Sequence, residues 1–356
     1  MTPQQIIKFR KNLINWFQAN QRKLPWRETN NPYKIWIAEV MLQQTQVIKV
    51  IPYFNKFIKQ IPNIKSLANV DLQRILKLLE GLGYYARARN MHRAARLILQ
   101  NHKGEVPTNY EDIKKLPGFG DYIAAAVLSQ AFNFPYQVVD GNVKRVLARV
   151  FLIDLPINVS NGNKIFKNKA ADLLDQSHPG DFNQAMMELG ALVCKPQNPL
   201  CLNCPVSKYC KALSENKQIQ YPKKIKKKPA PEYKIVVGVV QKSGHILIVQ
   251  RKSSGLLGGL WEFPGGKIKN DESAINGCIR EMREKVNAEV TQPEFLAEIK
   301  HAYTHFKIKM NIFKCLYSSG KIILNEHQDF RWIKIKEISE FPVHGANLKI
   351  LPYLKN

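Results

Sequence analysis

The segment Leu116–Leu128, LPGFGDYIAAAVL, joins two predicted helices through a tight turn. The first helix ends near Lys115, and the second begins near Asp121. Gly118 and Gly120 let backbone N–H groups approach an anion, which the positive N-terminus of the following helix also attracts. A Gly-x-Gly turn alone is a weak indication, so its meaning depends on the rest of the chain.

Two carboxylates lie in helical surroundings on either side of this segment. Glu39 belongs to a helix predicted to begin at Pro32 with Asn31 as its cap. Its helical neighbours are mostly apolar, so we expect a raised pKa for Glu39. Asp140 follows the apolar Val138-Val139 and is a predicted helix N-cap, where the helix dipole favours the ionised form. One protonated and one ionised carboxylate can cleave a glycosidic bond, although each residue also fits a purely structural role.

Four of the six cysteines fall within one short run with the spacing Cys-x6-Cys-x2-Cys-x5-Cys: Cys194, Cys201, Cys204 and Cys210. Such clustering is typical of metal binding in a reducing compartment, not of a disulfide framework. Four thiolates suit either a tetrahedral zinc ion or a four-iron cluster, and the spacing does not choose between them.

The composition indicates a folded protein with a polyanionic partner. The 356 residues predict two or three domains, and a hydrophobic content of 45% excludes wholesale disorder. Lysine and arginine number 54 against 28 acidic residues, for a net charge of +26 spread along the chain. This favours a nucleic acid partner, although a genome that encodes lysine-rich proteins in general would produce the same excess of positive charge. With no membrane-length apolar run and no signal segment, we expect a soluble, cytoplasmic protein associated with the nucleoid.

The composition and the predicted secondary structure of the sequence change near residue 222. Residues 221–234, YPKKIKKKPAPEYK, read as a charged, proline-containing linker after a helical first part. Beyond it, Tyr233–Gln241 and His245–Gln250 are predicted strands joined by a turn at Ser243-Gly244. The segment Asp271–Asn287 is a predicted helix with one apolar face: Ile275, Cys278, Ile279, Met282 and Val286.

Taken together, these motifs resemble one family of enzymes. The segments are IAEVMLQQTQV (37–47), GLGYYARARN (81–90), LPGFGDYIAAAVL (116–128), VVDGNVKRVLAR (138–149) and the cysteine run. They resemble the helix-hairpin-helix DNA glycosylases that carry a [4Fe–4S] cluster, and more narrowly the adenine DNA glycosylases of the MutY type. The resemblance covers nearly the whole chain and implies an iron–sulfur cluster, not zinc, at the four cysteines.

The resemblance implies a multidomain architecture. An all-α helix-hairpin-helix glycosylase domain is expected at residues 1–222, with the [4Fe–4S] loop at about 190–215. A basic linker is expected at 223–231, and an α/β Nudix-like domain at 232–356.

The resemblance also implies catalytic roles. Glu39 resembles the general acid that protonates the flipped adenine at N7. Asp140 resembles the carboxylate that stabilises the oxocarbenium-like sugar, with Asn142 beside it. Tyr122 occupies the position at which bifunctional relatives carry a Schiff-base lysine, and a tyrosine cannot form that imine. A monofunctional enzyme that leaves an abasic site is therefore expected.

The DNA contacts that the resemblance implies follow from the need to take the target base out of the stack. The adenine pocket would contain Trp26, Arg27 and Gln184, and the contacts to the opposite strand would come from Gln44 and Thr45. The aromatic wedge would be Tyr84, and the hairpin contributes Gly118 and Gly120. The loop that reads the oxidised guanine would be Tyr303, Thr304 and His305. Relatives commonly carry serine where this chain has Thr304, so the extra methyl group could alter the fit.

The second domain contains a segment that resembles a Nudix box with two departures from the usual pattern. Residues 256–267, LLGGLWEFPGGK, precede Glu272 and the run Arg280–Glu284, but Lys285 and Asn287 stand where Nudix hydrolases carry glutamate and glycine. A cation in place of a carboxylate weakens magnesium binding. We therefore do not expect this domain to hydrolyse nucleotides. Its resemblance to the MutT-like C-terminal domain of the family implies recognition of 8-oxoguanine instead.

The hypothesis is a monomeric enzyme that excises adenine paired with 8-oxoguanine, or less well with guanine, in double-stranded DNA. Three alternatives stay open, the first within the same fold and the other two from other classes of protein. They are a pyrimidine glycosylase with lyase activity, a nucleotide pyrophosphohydrolase that uses the second domain, and a catalytically silent binder of damaged DNA.

Overall fold

A computed structural model describes residues 1–159, 162–226 and 228–354. Three short stretches lie outside the described residues: residues 160–161 of the first predicted domain, Lys227 of the predicted linker and residues 355–356 of the second predicted domain. The chain divides into two compact units: Met1–Ala68 with Arg93–Lys227, and Asn69–His92 with Lys228–Asn356. These units do not follow chain order, and the domain boundaries expected near residues 222 and 232 stay a prediction.

Helices make up most of the chain before the linker. The α-helices are α1 (Pro3–Asn20), α2 (Pro32–Leu42), α3 (Val47–Gln60), α4 (Ile64–Asn69), α5 (Leu72–Leu78), α6 (Ala86–Asn101), α7 (Tyr110–Lys115), α8 (Asp121–Phe132), α9 (Gly141–Phe151), α10 (Gly162–Leu173), α11 (Pro179–Leu192), α12 (Lys211–Ser214), α13 (Ala274–Val286) and α14 (Gly345–Leu348). Short 3-10 helices lie at Cys201–Asn203, Ser207–Tyr209, Ile335–Glu340 and Leu351–Leu354. Within the described residues, no helix is long and apolar enough to cross a membrane.

The predicted helix starts are confirmed. Asn31 caps α2 by accepting the backbone N–H of Lys34, and Pro32 is the first helical residue. Asp140 caps α9 in the same way through the N–H of Val143. These side chains satisfy N–H groups that have no partner inside the helix, so the sequence places both helix ends accurately.

The first unit has an apolar core that supports the start of α9. One face of α9 packs with α1 and α11, and each large side chain removed from water there contributes about 1.5–3 kcal/mol to stability. Its buried members include Phe9, Leu13, Phe17, Val143, Val146, Leu147, Phe182, Met186 and Leu189. This packing fixes the helix whose first residues follow Asp140.

The second unit contains one mixed sheet. Its strands are β1 (Glu232–Lys242), β2 (His245–Arg251), β3 (Trp261–Glu262), β4 (Gly265–Lys267), β5 (Glu289–Ala302), β6 (Lys307–Ser319) and β7 (His327–Ile333). The order is β3-β2-β1-β6-β5, with β4 also paired to β1 and β7 to β2. Only the β1–β6 pairing is parallel among those described. The predicted β1–β2 hairpin is confirmed, and Ser243 and Gly244 both have the positive φ angles that a tight two-residue hairpin turn requires.

Helix α13 covers one face of this sheet, and the C-terminal residues around α14 cover the other. Cys278, Met282 and Val286 of α13 are buried as predicted. The prediction for Ile275 is wrong, because this side chain is 46% exposed. Ile275 lies in the first turn of α13, and the buried cluster on this face does not extend to it.

Residues 69–92 join the second unit through hydrogen bonds to its loops. The Gln73 side chain donates to Gly259 O (2.9 Å) and accepts from the Trp261 indole (3.1 Å). Glu80 accepts from the backbone N–H of Val343 (2.7 Å). The association joins stretches far apart in sequence, and no local pattern in residues 69–92 predicts it.

Candidate active site

A cavity of about 180 Å³ in the first unit brings most of the predicted catalytic and adenine-pocket residues together. Its walls come from α2, α8, α11, the start of α9 and the segment before α2. The predicted residues that line it are Trp26, Arg27, Glu39, Thr45, Tyr122, Asp140, Asn142 and Gln184. Glu39 and Asp140, whose proximity the sequence leaves open, therefore share one cavity.

Glu39 is almost completely buried, with 3% of its surface exposed. Burial raises the pKa of Glu39, and the nearby Asp140 carboxylate raises it further. Two donors oppose this increase: the Tyr122 hydroxyl donates to Oε2 (2.7 Å) and the Gln130 amide donates to Oε1 (3.0 Å). The raised pKa expected for Glu39 is confirmed, so this carboxyl group holds its proton at higher pH than an exposed glutamate.

Two opposing effects act on the pKa of Asp140. Its carboxylate accepts from the Val143 N–H (2.7 Å) and the Asn142 amide (2.9 Å), and both contacts favour the ionised form. Burial nevertheless outweighs them and raises the pKa of Asp140. The cap contacts favour the ionised form, as the sequence predicts, but desolvation in the cavity, which the sequence does not reveal, raises the pKa of Asp140 above that of an exposed aspartate.

Tyr122 donates its hydroxyl proton to Glu39 from the first turns of α8. Burial and the two nearby carboxylates raise the pKa of Tyr122 well above its usual value. The phenol therefore stays protonated at neutral pH. At this position it orients the Glu39 carboxyl group and offers no amine for an imine.

Several functional neighbours were missed from the sequence. Gln130 contacts Glu39 directly, and Glu188 lines the same cavity while pairing with Arg22 (2.6 Å) and Arg27 (3.0 Å). Arg27 also donates to the Gln184 side chain (3.1 Å). No motif or spacing distinguishes Gln130 or Glu188 from ordinary helix residues, so only their placement in the fold reveals them.

Replacing Glu188 by glutamine should destabilise the first unit in a pH-dependent way. The two arginines lower the pKa of Glu188 to about 2 against the opposing effect of burial. A depressed pKa means that the ion pairs stabilise the fold above the ordinary glutamate pKa of 4.5 and lose that contribution as the pH falls toward 2. We expect Glu188→Gln to lower the thermal midpoint clearly at pH 7 and by less at pH 3, where part of the ion-pair contribution has been lost. An equal decrease at both pH values would contradict this explanation.

Asn142 is positioned by the segment that carries the cysteines. Arg145 donates to Asn142 Oδ1 (2.8 Å), to Gly190 O (2.8 Å) and to Cys194 O (2.7 Å). Gly190 is required here, because a Cβ atom at that position would lie 2.6 Å from Asn142 Cβ. The close approach of α11 therefore holds the start of α9.

The hairpin of the opening segment has the expected geometry. Gly118 has φ +85°, in the left-handed region that favours glycine. Gly120 precedes α8 as its N-cap, and the space where its side chain would lie is open. The exposed backbone at the N-terminus of α8 can therefore accept a close anion.

The four clustered cysteines line one small cavity of about 30 Å³. Burial raises the pKa of the Cys204 thiol to about 12. Arg149, 1% exposed, donates to Cys194 Sγ (3.2 Å) and also to Lys195 O and Tyr221 O. A buried cation beside a ring of thiols suits a group of net negative charge. Within the described ranges, no set of three or more His, Cys, Asp or Glu residues is arranged to hold a single metal ion.

The remaining predicted contacts separate into two places. Gln44 follows α2 with φ +55°, and Tyr84 has φ +53°. Such backbone conformations are uncommon outside glycine and concentrate at functional sites. In the second unit, the Tyr84 hydroxyl lies 2.5 Å from Thr304 Oγ1, in the turn between β5 and β6. His305 is exposed in the same turn, and Tyr303 packs its ring against Phe306, with centroids 4.8 Å apart.

In the segment that resembles a Nudix box, one arginine engages the acidic side chains. Arg280 donates to Glu272 (2.7 Å), Glu281 (2.7 Å) and Glu284 (2.8 Å). Lys285, which replaces an expected glutamate, forms an ion pair with Glu326. The box therefore holds its carboxylates in ion pairs with basic side chains.

Comparison with known proteins identifies both parts of the chain. Residues 37–168 match the HhH-GPD superfamily of base excision DNA repair proteins, and residues 235–353 match the NUDIX domain. Among solved structures, a thermostable thymine-DNA glycosylase matches with a TM-score of 0.54 and 28% identity, over 60% of this chain and 98% of that chain. An endonuclease III–DNA covalent intermediate shares the fold, with a TM-score of 0.52 and 24% identity, over 61% of this chain and 99% of that chain.

Curated relatives match along most of the chain. Adenine DNA glycosylase of Buchnera aphidicola subsp. Baizongia pistaciae is 38% identical over 324 residues, which cover 90% of each protein. The rat adenine DNA glycosylase is 33% identical, over 97% of this chain and 77% of the rat protein. The human protein of the same name is 31% identical, over 97% of this chain and 74% of its own length. The resemblance noted in the sequence is thus confirmed, and the chain belongs to the adenine DNA glycosylase family, with an N-terminal helix-hairpin-helix domain followed by a Nudix-like α/β domain.

Proposed function

We propose that the protein hydrolyses the N-glycosidic bond of adenine paired with 8-oxoguanine or guanine, and that it leaves an abasic site without cutting the strand. The observation that carries this proposal is the shared cavity of Glu39, Tyr122 and Asp140. The family relationship indicates that the excised nucleobase is adenine. The cavity brings a proton donor and a second carboxylate together.

Glu39 would act as the general acid. The extruded adenine enters between Trp26, Arg27 and Gln184, which line the same cavity. Protonated Glu39 donates its proton to N7 of the base. The protonated base then takes the electrons of the glycosidic bond and leaves as neutral adenine. Tyr122 and Gln130, each bonded to one carboxyl oxygen, orient this proton transfer.

Asp140 would stabilise the sugar once the bond to adenine breaks. The C1′ carbon then carries positive charge, which favours the ionised form of the nearby carboxylate despite its burial. A water molecule adds to C1′ and loses a proton to a carboxylate, so the products are free adenine and an abasic sugar. Tyr122 contributes no amine for β-elimination, which supports a monofunctional enzyme.

The second unit would recognise the oxidised guanine. Tyr84 and Thr304 form one hydrogen-bonded pair, in which an exposed aromatic ring and a loop hydroxyl lie together. An aromatic wedge beside a hydrogen-bonding side chain is a combination suited to a base that stays stacked in the duplex. The additional methyl group of Thr304 leaves less space for the base beside this hydroxyl than a serine would leave.

The four cysteines would hold a [4Fe–4S] cluster. The donor set fits, because four soft sulfur atoms surround one cavity and the buried Arg149 cation balances the negative charge of a thiolate-bound cluster. When bound, the cluster would cross-link the loop between α11 and α12, whose Cys194 carbonyl positions Arg145.

Protein isolated without oxygen should contain about four iron and four sulfide ions per chain. We expect Cys204→Ser to lose most of this iron, because serine replaces a sulfur ligand by a weaker one. Cys278, buried in the second unit, is the matched control, and Cys278→Ala should retain the iron of the wild type. Iron retained in Cys204→Ser, or zinc in its place in the wild type, would contradict the assignment.

The alternatives predict different products. A pyrimidine glycosylase with lyase activity requires an amine where Tyr122 lies. A nucleotide pyrophosphohydrolase requires magnesium, whereas Arg280 already pairs with the box carboxylates and Lys285 replaces one of them. A magnesium-dependent assay with deoxynucleoside triphosphates tests the latter directly.

Single-turnover reaction of a duplex with one 8-oxoguanine:adenine pair tests the main proposal. We expect free adenine, with strand scission appearing only after alkali treatment. Scission without alkali would indicate a lyase. No adenine release from folded, iron-loaded protein would leave a binder of damaged DNA and overturn the proposal.

A further inference from the structure

Asp140 also lines a second cavity in the first unit, of about 610 Å³. Asp140 lines both this cavity and the smaller one that contains Glu39. The second cavity is basic, because Lys144, Lys224 and Lys226 contribute to its wall. The function proposed above does not use these three lysines.

The basic wall is held by specific hydrogen bonds. Lys223–Lys226, which we name the lysine strap, runs beside residues 157–158. The backbone N–H of Ile157 donates to Lys223 O (3.0 Å). Asn158 makes a reciprocal pair with Ile225: its amide donates to Ile225 O (2.9 Å), and its Oδ1 accepts the Ile225 N–H (3.0 Å).

This arrangement leaves the two lysines next to Ile225 available for a ligand. Lys224 and Lys226 are exposed on either side of the residue that Asn158 holds. Lys144, one turn into α9, is anchored by Ile157 O (3.2 Å) and Asn163 Oδ1 (2.5 Å). Three ammonium groups against the single carboxylate of Asp140 give the cavity an excess of positive charge.

The position of Asp140 in both cavities indicates which anion belongs there. If adenine occupies the smaller cavity, its C1′ atom lies at Asp140, and the phosphates of the same nucleotide lie a few bonds further along the chain. We infer that the lysine strap and Lys144 bind the DNA backbone phosphates that flank the extruded adenosine. This inference rests on the proposed function and adds a binding site to it.

A strap fixed in advance is suited to this task. A flexible lysine-rich segment would lose conformational freedom when it binds the DNA backbone. The hydrogen bonds between Asn158 and Ile225 already order part of the segment in the free protein, so less freedom is lost on binding. Phosphate contacts of this kind supply affinity and orientation without reading sequence. They would hold the sugar against Asp140.

The first test measures salt dependence with a duplex containing 8-oxoguanine opposite a 2′-fluoroadenosine, which resists cleavage. We expect Lys224→Gln with Lys226→Gln to make the slope of log affinity against log salt less steep by about 1.8, which is about 0.9 per lost phosphate contact. Lys56→Gln with Lys59→Gln, on the exposed side of α3, removes the same charge and is the control. Equal slopes for the two double variants would overturn the inference.

The second test places the contact on the strand. A methylphosphonate next to the adenosine removes one backbone charge, and we expect it to weaken binding by the wild type and the control variant. The strap variant should respond much less, because its partner for that charge is already gone. If the two changes weaken binding independently, at every flanking phosphate tested, the strap does not contact these phosphates and the inference fails.

Asn158→Ala tests the built arrangement without changing any charge. We expect weaker binding than the wild type and an unchanged thermal midpoint, since both bonds join exposed segments. Binding equal to that of the wild type would show that preordering of the strap does not matter. Adenine release by the wild type is measured in parallel. Its absence would refute the proposed function, whereas release with indistinguishable strap and control variants would refute this inference alone.

Discussion

Glu39→Gln should reduce the single-turnover rate of adenine release by about 10²–10⁴-fold, the contribution typical of a general acid. Glutamine keeps the shape of the buried side chain and can still contact Tyr122 and Gln130, but it has no proton to donate. DNA affinity and the thermal midpoint should stay near those of the wild type, because an uncharged amide is easier to bury than a carboxylate.

The pH profile of the wild type carries the same information. Burial raises the pKa of Glu39, so the active, protonated form persists above the usual range of glutamate and the rate falls as the pH rises through this pKa. Tyr122→Phe removes a contact that favours the ionised form, and we expect it to move the decline to higher pH. Glu28→Gln, at an exposed position, is the control and should leave rate and profile unchanged. A rate independent of Glu39 would exclude it as the acid.

Asp140→Asn is expected to produce a second large loss, at a different step. An amide cannot neutralise the positive charge that develops at C1′, and removal of one well-placed electrostatic group typically costs about 10²–10³-fold in rate. The helix should survive, because asparagine caps a helix as well as aspartate does and can still accept the Val143 N–H. The measurement is single-turnover adenine release at saturating enzyme, with the circular dichroism melt as a check of folding.

Asp175 provides the matched control for this variant. Its carboxylate accepts the backbone N–H of Ser177 (2.9 Å), much as Asp140 accepts that of Val143, but it does not line the catalytic cavity. Asp175→Asn should therefore excise adenine at the rate of the wild type. If Asp140→Asn shows the same rate as well, Asp140 is a helix cap and has no catalytic role.

Local rules accounted for much of the fold. Capping residues, prolines and glycines placed the starts of α2, α8 and α9, and β-branched runs on either side of the Ser243-Gly244 turn placed the β1–β2 hairpin. These features depend on neighbours in sequence, so they can be predicted without knowledge of packing. The exposure of Ile275 could not be predicted in this way, because the edge of a buried cluster depends on residues from distant strands.

The electrostatics of the site illustrate the same limit. The sequence indicated a raised pKa for Glu39, since its own helix supplies the apolar surroundings. For Asp140 it indicated only the effect of the helix cap, which is local, and not the desolvation that raises the pKa, because the cavity is built from several helices. Gln130 and Glu188 went unnoticed for the same reason: their partners lie on other helices.

The sequence by itself determined the helix and strand starts, the cysteine run and the motifs that identify an adenine DNA glycosylase, because these are patterns of neighbouring residues. Only the tertiary structure decided that Glu39 and Asp140 share a cavity, that Asp140 also borders a lysine-lined one, and that residues 69–92 belong with the second unit. Burial and long-range hydrogen bonds act between residues far apart along the chain, and their energies depend on how the helices and strands pack.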